Sequence, residues 1–174
     1  SYLTPVYALM EKGYTPRKII ISTEQALSGA GYPGVASLEI SDNIIPFING
    51  EDNKTENEPL KILGSLYEER IIPPDIRISA KCTRVPVIDG HTAIVNLEFV
   101  KEKPNSLEEI VDIWNNFRAE PQKLELPSAP KQPIIYRPEE NRPQPRKDKN
   151  NGKGMAITVG QLRKCNVLDI KFVG

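Results

Sequence analysis

The sequence predicts an α+β domain: a mixed, largely antiparallel sheet with helices mainly on one face. Three observations carry that reading. Ile76–Cys82 and Thr92–Val100 both alternate apolar and polar residues with period two, as half-buried strands do. Ser106-Leu-Glu-Glu109 is a capping box, and behind it Ile110, Ile113, Trp114 and Phe117 fall on one helical face. Finally, 39% of the 174 residues are hydrophobic at zero formal net charge, too many for a disordered chain.

Length allows one domain with a single core. Equal numbers of basic and acidic side chains, 23 each, give no electrostatic footprint for nucleic acid or an anionic membrane. No apolar run reaches the ~18 residues of a membrane span, and the N-terminus does not read as a secretory signal. Two cysteines 83 positions apart make neither a disulfide scaffold nor a zinc spacing, so no metal is expected. The expected setting is the cytoplasm.

The elements follow in order. Leu3, Val6, Leu9 and Met10 carry helical spacing from the first residues, and Leu168–Gly174 closes the chain as a strand, so the sequence reads as an excised domain. Ile19-Ile-Ile21 is a buried strand running into Ser22–Gly34, whose three glycines in six residues indicate a loop. Residues 55–68 read as a helix with Leu60, Leu63 and Tyr67 inward. The runs at 76–82 and 92–100, joined through Asp89-Gly90, are expected to be antiparallel neighbours. Met155–Leu162 and Val167–Val173 complete the strands. Between them, 118–154 holds seven of the sixteen prolines and reads as a flexible linker or as an extended arm, with Pro133-Ile-Ile-Tyr136 a small strand inside it.

Several side chains have chemistry to offer. Gln25 ends a buried strand just before Ser28-Gly-Ala-Gly31, where a ligand can approach the main chain closely. The loop is not a P-loop, and a tight turn is the plain alternative. His91, the one imidazole, follows Arg84-Val-Pro-Val-Ile-Asp-Gly90. A histidine suits proton transfer near neutrality and an arginine suits a carboxylate or phosphate. The bland reading is an exposed turn histidine with a surface arginine. Cys82 shares a strand face with Arg84 and is a thinkable nucleophile with His91 as base, although a cysteine in such a strand is more often a small buried hydrophobe. Cys165 carries no partner signal. Glu51 and Lys54, after Asn49-Gly50, are i,i+3 neighbours.

Six blocks then occur in series: Ser28-Gly-Ala-Gly-Tyr-Pro-Gly34, Asp42-Asn-Ile-Ile-Pro-Phe47, Glu51-x-x-Lys54, Arg84-Val-Pro-Val-Ile-Asp-Gly-His91, Arg142-Pro-Gln-Pro-Arg146 and Gly154-Met-Ala-Ile-Thr-Val-Gly160. From about Ile19 onward this series resembles the catalytic and dimerisation domain of aspartate-semialdehyde dehydrogenase, in its archaeal and fungal branch. The resemblance implies a fold like the C-terminal domain of glyceraldehyde-3-phosphate dehydrogenase, with the helix-free face building a homodimer or homotetramer. It implies NADPH-dependent conversion of L-aspartyl-4-phosphate to the semialdehyde through a cysteine thioester, with release of phosphate. By the same resemblance His91 is the acid/base residue and Gln25 orients the acyl group. Arg84 binds the substrate carboxylate, Glu51 its amine and Lys54 the phosphate, while Ser28 and Gly29 meet the nicotinamide end of NADP.

The departures also matter. The family's nucleophilic cysteine is expected a few residues before Ser1, and Cys82 does not match it. The nucleotide-binding domain and the final helix are expected to lie outside this chain, leaving it inactive alone. Glu24 stands where the family leads one to expect an apolar or aromatic residue. Two alternatives stay open: a malonyl- or succinyl-coenzyme A reductase on the same fold, and a non-catalytic dimerisation module. The intact Arg-Val-Pro-Val and Arg-Pro-Gln-Pro-Arg blocks favour the acyl phosphate over the coenzyme A esters.

Overall fold

The computed structural model describes residues 2–174. Its elements, in chain order, are α1 (Leu3–Met10), β1 (Pro16–Gln25), α2 (Ser37–Ile40), α3 (Glu51–Ile62), β2 (Ser65–Tyr67), β3 (Arg70–Ile72), β4 (Arg77–Arg84), β5 (Thr92–Phe99), α4 (Leu107–Asn116), α5 (Glu120–Lys123), β6 (Ile134–Arg137), α6 (Pro145–Asp148), β7 (Ile157–Lys164) and β8 (Ile170–Val173). Six strands form one sheet in the order β4-β1-β5-β8-β7-β6, and β2 and β3 form a separate hairpin. The β1–β4 and β6–β7 pairs are parallel and the other three pairs antiparallel, so the sheet is mixed, as expected.

Alternation along the strands sorts their side chains onto two faces. Ile19, Ile21, Val95, Leu97 and Phe172 point to the helix side and meet Val6 and Leu9 of α1 and Ile110 and Trp114 of α4 in one core. Trp114 lies at its centre, with its ring 5.1 Å from that of Phe172 and its indole N–H donating to the Pro5 carbonyl at 3.0 Å. Half of the expected capping box forms at α4: Ser106 accepts from the Glu109 amide at 3.2 Å, but the Glu109 carboxylate takes the Asn105 amide at 2.7 Å in place of the Ser106 amide. Ile20 and Ile94 stay exposed on the opposite, helix-free face, and Glu24 lies on that face too, away from the candidate site.

Two expectations need correction. Strands β4 and β5 are not neighbours, because β1 lies between them, parallel to one and antiparallel to the other. Ile19 and Ile21 are buried with an apolar strand on each side, and that outweighs the short connection between the other two, while Ile20 between them faces outward. The helix expected over 55–68 runs instead from Glu51 to Ile62, and residues 65–67 belong to the hairpin. Gly50 at φ 71° turns the chain into α3, and Glu51 and Asp52 suit the positive end of the helix dipole.

The proline-rich stretch threads β6 into the sheet beside β7 and then forms α6. Asp148, only 4% exposed, ties α6 down: its carboxylate pairs with the Arg142 guanidinium and accepts from the Gln144 amide at 2.6 Å. Arg142 holds that carboxyl below the usual range. Helix α6 braces the turn before β5, with Lys149 donating to Asp89 at 3.1 Å. A Cβ on Gly90 would stand 3.1 Å from the Pro145 side chain.

A candidate active site at the end of the sheet

Parallel pairing sets Gln25 directly opposite Arg84 at the last position of β1 and β4. The chain continues the pairing beyond the strands: Val85 donates to Gln25, Leu27 to Val87 and Ser28 to Ile88, at 2.7–3.1 Å. Strand β5 is antiparallel to β1 and therefore begins where β1 ends, which brings His91 to the same place.

Arg84 and His91 meet at the main chain of Ala26, a residue with no exposed surface that directly follows Gln25. The Arg84 Nη1 donates to the Ala26 carbonyl at 2.5 Å, and the Ala26 amide donates to His91 Nδ1 at 2.8 Å. Because that nitrogen accepts, neutral His91 carries its proton on Nε2. Burial, together with the Arg84 guanidinium, holds the His91 imidazole below its ordinary pKa, while Glu51 pulls the other way.

Arg84 is the unusual group. It is 6% exposed, and among the described residues no carboxylate pairs with it. No Arg84 nitrogen is both buried and unpartnered, so the donors without a protein partner keep some accessible surface. A cation held this way is suited to an incoming carboxylate or phosphate. Gln25 reaches the other side, donating from Nε2 to Glu51 at 3.3 Å, and Glu51 in turn stands 3.8 Å from Lys54. Gly29 closes the cluster: a Cβ there would lie 2.9 Å from His91 Cε1 and 3.0 Å from Arg84 Nη1. Only glycine lets the loop come so near. Ser28, Gly29 and Ala30 are exposed.

All seven residues singled out in the sequence thus lie in one cluster or on the loop above it: Gln25, Ser28, Gly29, Glu51, Lys54, Arg84 and His91. Neither cysteine joins them. Cys82 is fully buried beside Thr55 Oγ1 at 3.4 Å, and Cys165 lies by Asp169 at the far end of the sheet. The central part of the Ala26 peptide has no side-chain signature in the sequence.

A sheet-end cluster of a buried guanidinium, an imidazole, an amide and a carboxylate–ammonium pair has the chemistry to suit a small, multiply charged molecule. Residues 6–173 match the model of the semialdehyde dehydrogenase dimerisation domain, and the chain belongs to that family. It is 46% identical over 172 residues to the aspartate-semialdehyde dehydrogenase of Cryptococcus neoformans, covering 95% of this chain and 47% of the relative. To the enzyme of the same name from Methanothermobacter thermautotrophicus it is 48% identical over 162 residues, covering 93% and 45%. A solved structure of the Candida albicans aspartate-semialdehyde dehydrogenase with NADP superposes with a TM-score of 0.91 at 37% identity, covering 98% of this chain and 48% of that one. The chain spans about half the length of the curated relatives it matches.

Proposed function

We propose that this domain serves an oxidoreductase of the aspartate pathway that converts L-aspartyl-4-phosphate and NADPH to L-aspartate 4-semialdehyde, phosphate and NADP. The observation that carries the reading is Arg84, a buried guanidinium with one carbonyl partner, no carboxylate and other donors that keep some accessible surface. In this reading Arg84 takes the substrate α-carboxylate, Glu51 its ammonium group and Lys54 the phosphate. Gln25 orients the acyl group, and His91 handles hydrogen bonding and proton transfer at the reacting carbonyl oxygen.

The acyl group is carried as a thioester on a cysteine that is neither Cys82 nor Cys165, given where those two lie. A bound nicotinamide supplies the hydride. The exposed Ser28–Gly29 loop, with no bulky side chain over His91, fits its nicotinamide end. The helix-free face, with exposed Ile20 and Ile94, is the proposed contact between copies in a homodimer or homotetramer. Among the described residues no helix is long and apolar enough to cross a membrane.

The test is a paired assay of the full-length protein. NADPH formation from aspartate semialdehyde and phosphate, without NADPH oxidation on malonyl-coenzyme A, is the expected result. Turnover of the coenzyme A ester alone would overturn the substrate assignment, and turnover of neither would leave a non-catalytic module.

A further inference from the structure

We propose that Asp52 and Glu56 are positioning residues that set Glu51 and Lys54 into the site by locking helix α3 onto the free edge of β4. The proposal rests on the reading of Glu51 and Lys54 as substrate-binding residues.

β4 is an edge strand, so its alternate amides face away from the sheet without a strand partner. Three in succession are nevertheless bonded. Ala80 donates to Glu56 Oε1 at 2.9 Å, Cys82 to Asp52 Oδ1 at 2.7 Å and Arg84 to the Ile45 carbonyl at 2.8 Å. Asp52 Oδ2 also takes the Lys81 ammonium at 2.8 Å, and Lys81 with the Cys82 amide holds that carboxyl below the usual range.

The spacing makes this pair a ruler. Four residues of helix advance about 6 Å, and two residues of strand advance about 6.6 Å. Asp52 and Glu56 therefore match Cys82 and Ala80, with helix and strand running in opposite directions. A slide of one residue along β4 would bring both carboxylates to residues whose amides turn inward to β1, breaking both bonds together.

Besides these two carboxylates, this end of the helix has the Thr55 hydroxyl 3.4 Å from Cys82 Sγ, the Tyr2 hydroxyl donating to the Thr55 carbonyl at 3.4 Å, and Gln25 on Glu51. The buried and half-buried apolar residues of α3, Pro59, Leu60 and Leu63 beyond its end, lie toward its C-terminus, and Gly50 offers no capping side chain. Glu51 and Lys54 lie in the first turn, on the stretch that the two carboxylates hold. Glu51 is then within 3.3 Å of Gln25, which is placed independently by β1.

The experiment uses the full-length enzyme. Asp52→Ala/Glu56→Ala should raise the KM for aspartate semialdehyde about tenfold while kcat changes less than about threefold, because the pair acts on binding geometry rather than on reacting atoms. Asp52→Asn and Glu56→Gln each keep an acceptor for the strand amide and should restore KM to within about twofold. If the double variant does not fold, Asp52→Glu carries the test. The longer carboxylate displaces the first turn without deleting a bond, and the KM should again rise. Hydrogen exchange supplies a readout independent of turnover: the Ala80 and Cys82 amides should be protected in the wild type and lose protection together in the folded double variant. A folded double variant or Asp52→Glu with unchanged KM would overturn the proposal, as would unprotected amides in the wild type. Absence of wild-type turnover, with both amides protected, would instead sink the function on which it rests.

Discussion

Gly29→Ala is the substitution in which structure and chemistry separate most clearly. The new Cβ would meet His91 Cε1 at 2.9 Å, Arg84 Nη1 at 3.0 Å and His91 Nε2 at 3.2 Å. Ordinary contact begins at 3.4 Å, so the imidazole and loop must part by about half an ångström. Neither side chain yields freely, since each is hydrogen-bonded to the Ala26 peptide. If His91 moves by that amount, its 2.8 Å bond to the Ala26 amide lengthens past the usual range. Gly29 lies on an exposed loop, so the cost to folding should stay within about 1 kcal/mol. The catalytic cost should be far larger, about 30- to 100-fold in kcat/KM, because reacting groups tolerate only about half an ångström of displacement. The assay is semialdehyde oxidation by the full-length enzyme, with urea unfolding run on the same samples. A cycle with His91→Ala locates the clash, since adding Gly29→Ala to His91→Ala should then lose little more. Activity within about threefold of wild type, or additive losses in the cycle, would refute the geometry argued here.

Three further outcomes follow from the same contacts. His91 should titrate below free histidine in a proton NMR series, where this chain gives a single imidazole signal, and Arg84→Ala should raise the midpoint; a wild-type midpoint at or above the free value would contradict the assigned surroundings. A depressed imidazole favours the neutral folded form, so its contribution to stability is present above the ordinary histidine pKa and is lost as pH falls through that value toward the folded one. Asp148→Asn should cost about 2–4 kcal/mol in urea unfolding, because it strips the buried partner from Arg142. Trp114→Phe should lose about 1.5–3 kcal/mol by deleting the indole bond to the Pro5 carbonyl and leaving a void against Phe172, and a change under 0.5 kcal/mol would mean the core closes around it.

Much of the fold is legible because its signals are local. The period-two runs of β4 and β5 and the capped amphipathic α4 each mark their buried face over a few residues, and the triple isoleucine of β1 marks a strand, although Ile20 within it faces outward. Strand order is different, since which strand lies beside Ile76–Cys82 depends on competition among distant segments. A short connection misleads when a more apolar strand is available. The start of α3 is hidden for another reason: Glu51–Glu58 is polar, so hydrophobic periodicity detects the helix only at Leu60. Asp52 and Glu56 are lost in the same way, since an acidic i,i+4 pair on a polar helix looks like a solvated face. The available signal was its position, shortly before a strand with no partner on one side. His91 and Arg84 were visible as residue types, but their meeting at Ala26 was not, because it runs through a main-chain peptide.

The insertion of β1 between β4 and β5 is what makes the site possible. Were β4 and β5 a simple hairpin, Arg84 and His91 would flank one turn, and Gln25 would end elsewhere. With β1 between them the strands stand two spacings apart, about 10 Å, and residues 85–90 must cross over the end of β1. That crossing lays Val85–Ile88 along Gln25–Ser28 and delivers His91 to the far side of the Ala26 peptide from Arg84. One parallel and one antiparallel neighbour are both required: the parallel strand ends level with β1, and the antiparallel strand begins there. A purely antiparallel arrangement would send Arg84 or His91 to the opposite end of the sheet. The mixed sheet is therefore the condition for gathering the guanidinium and the imidazole at the main chain of Ala26, next to Gln25.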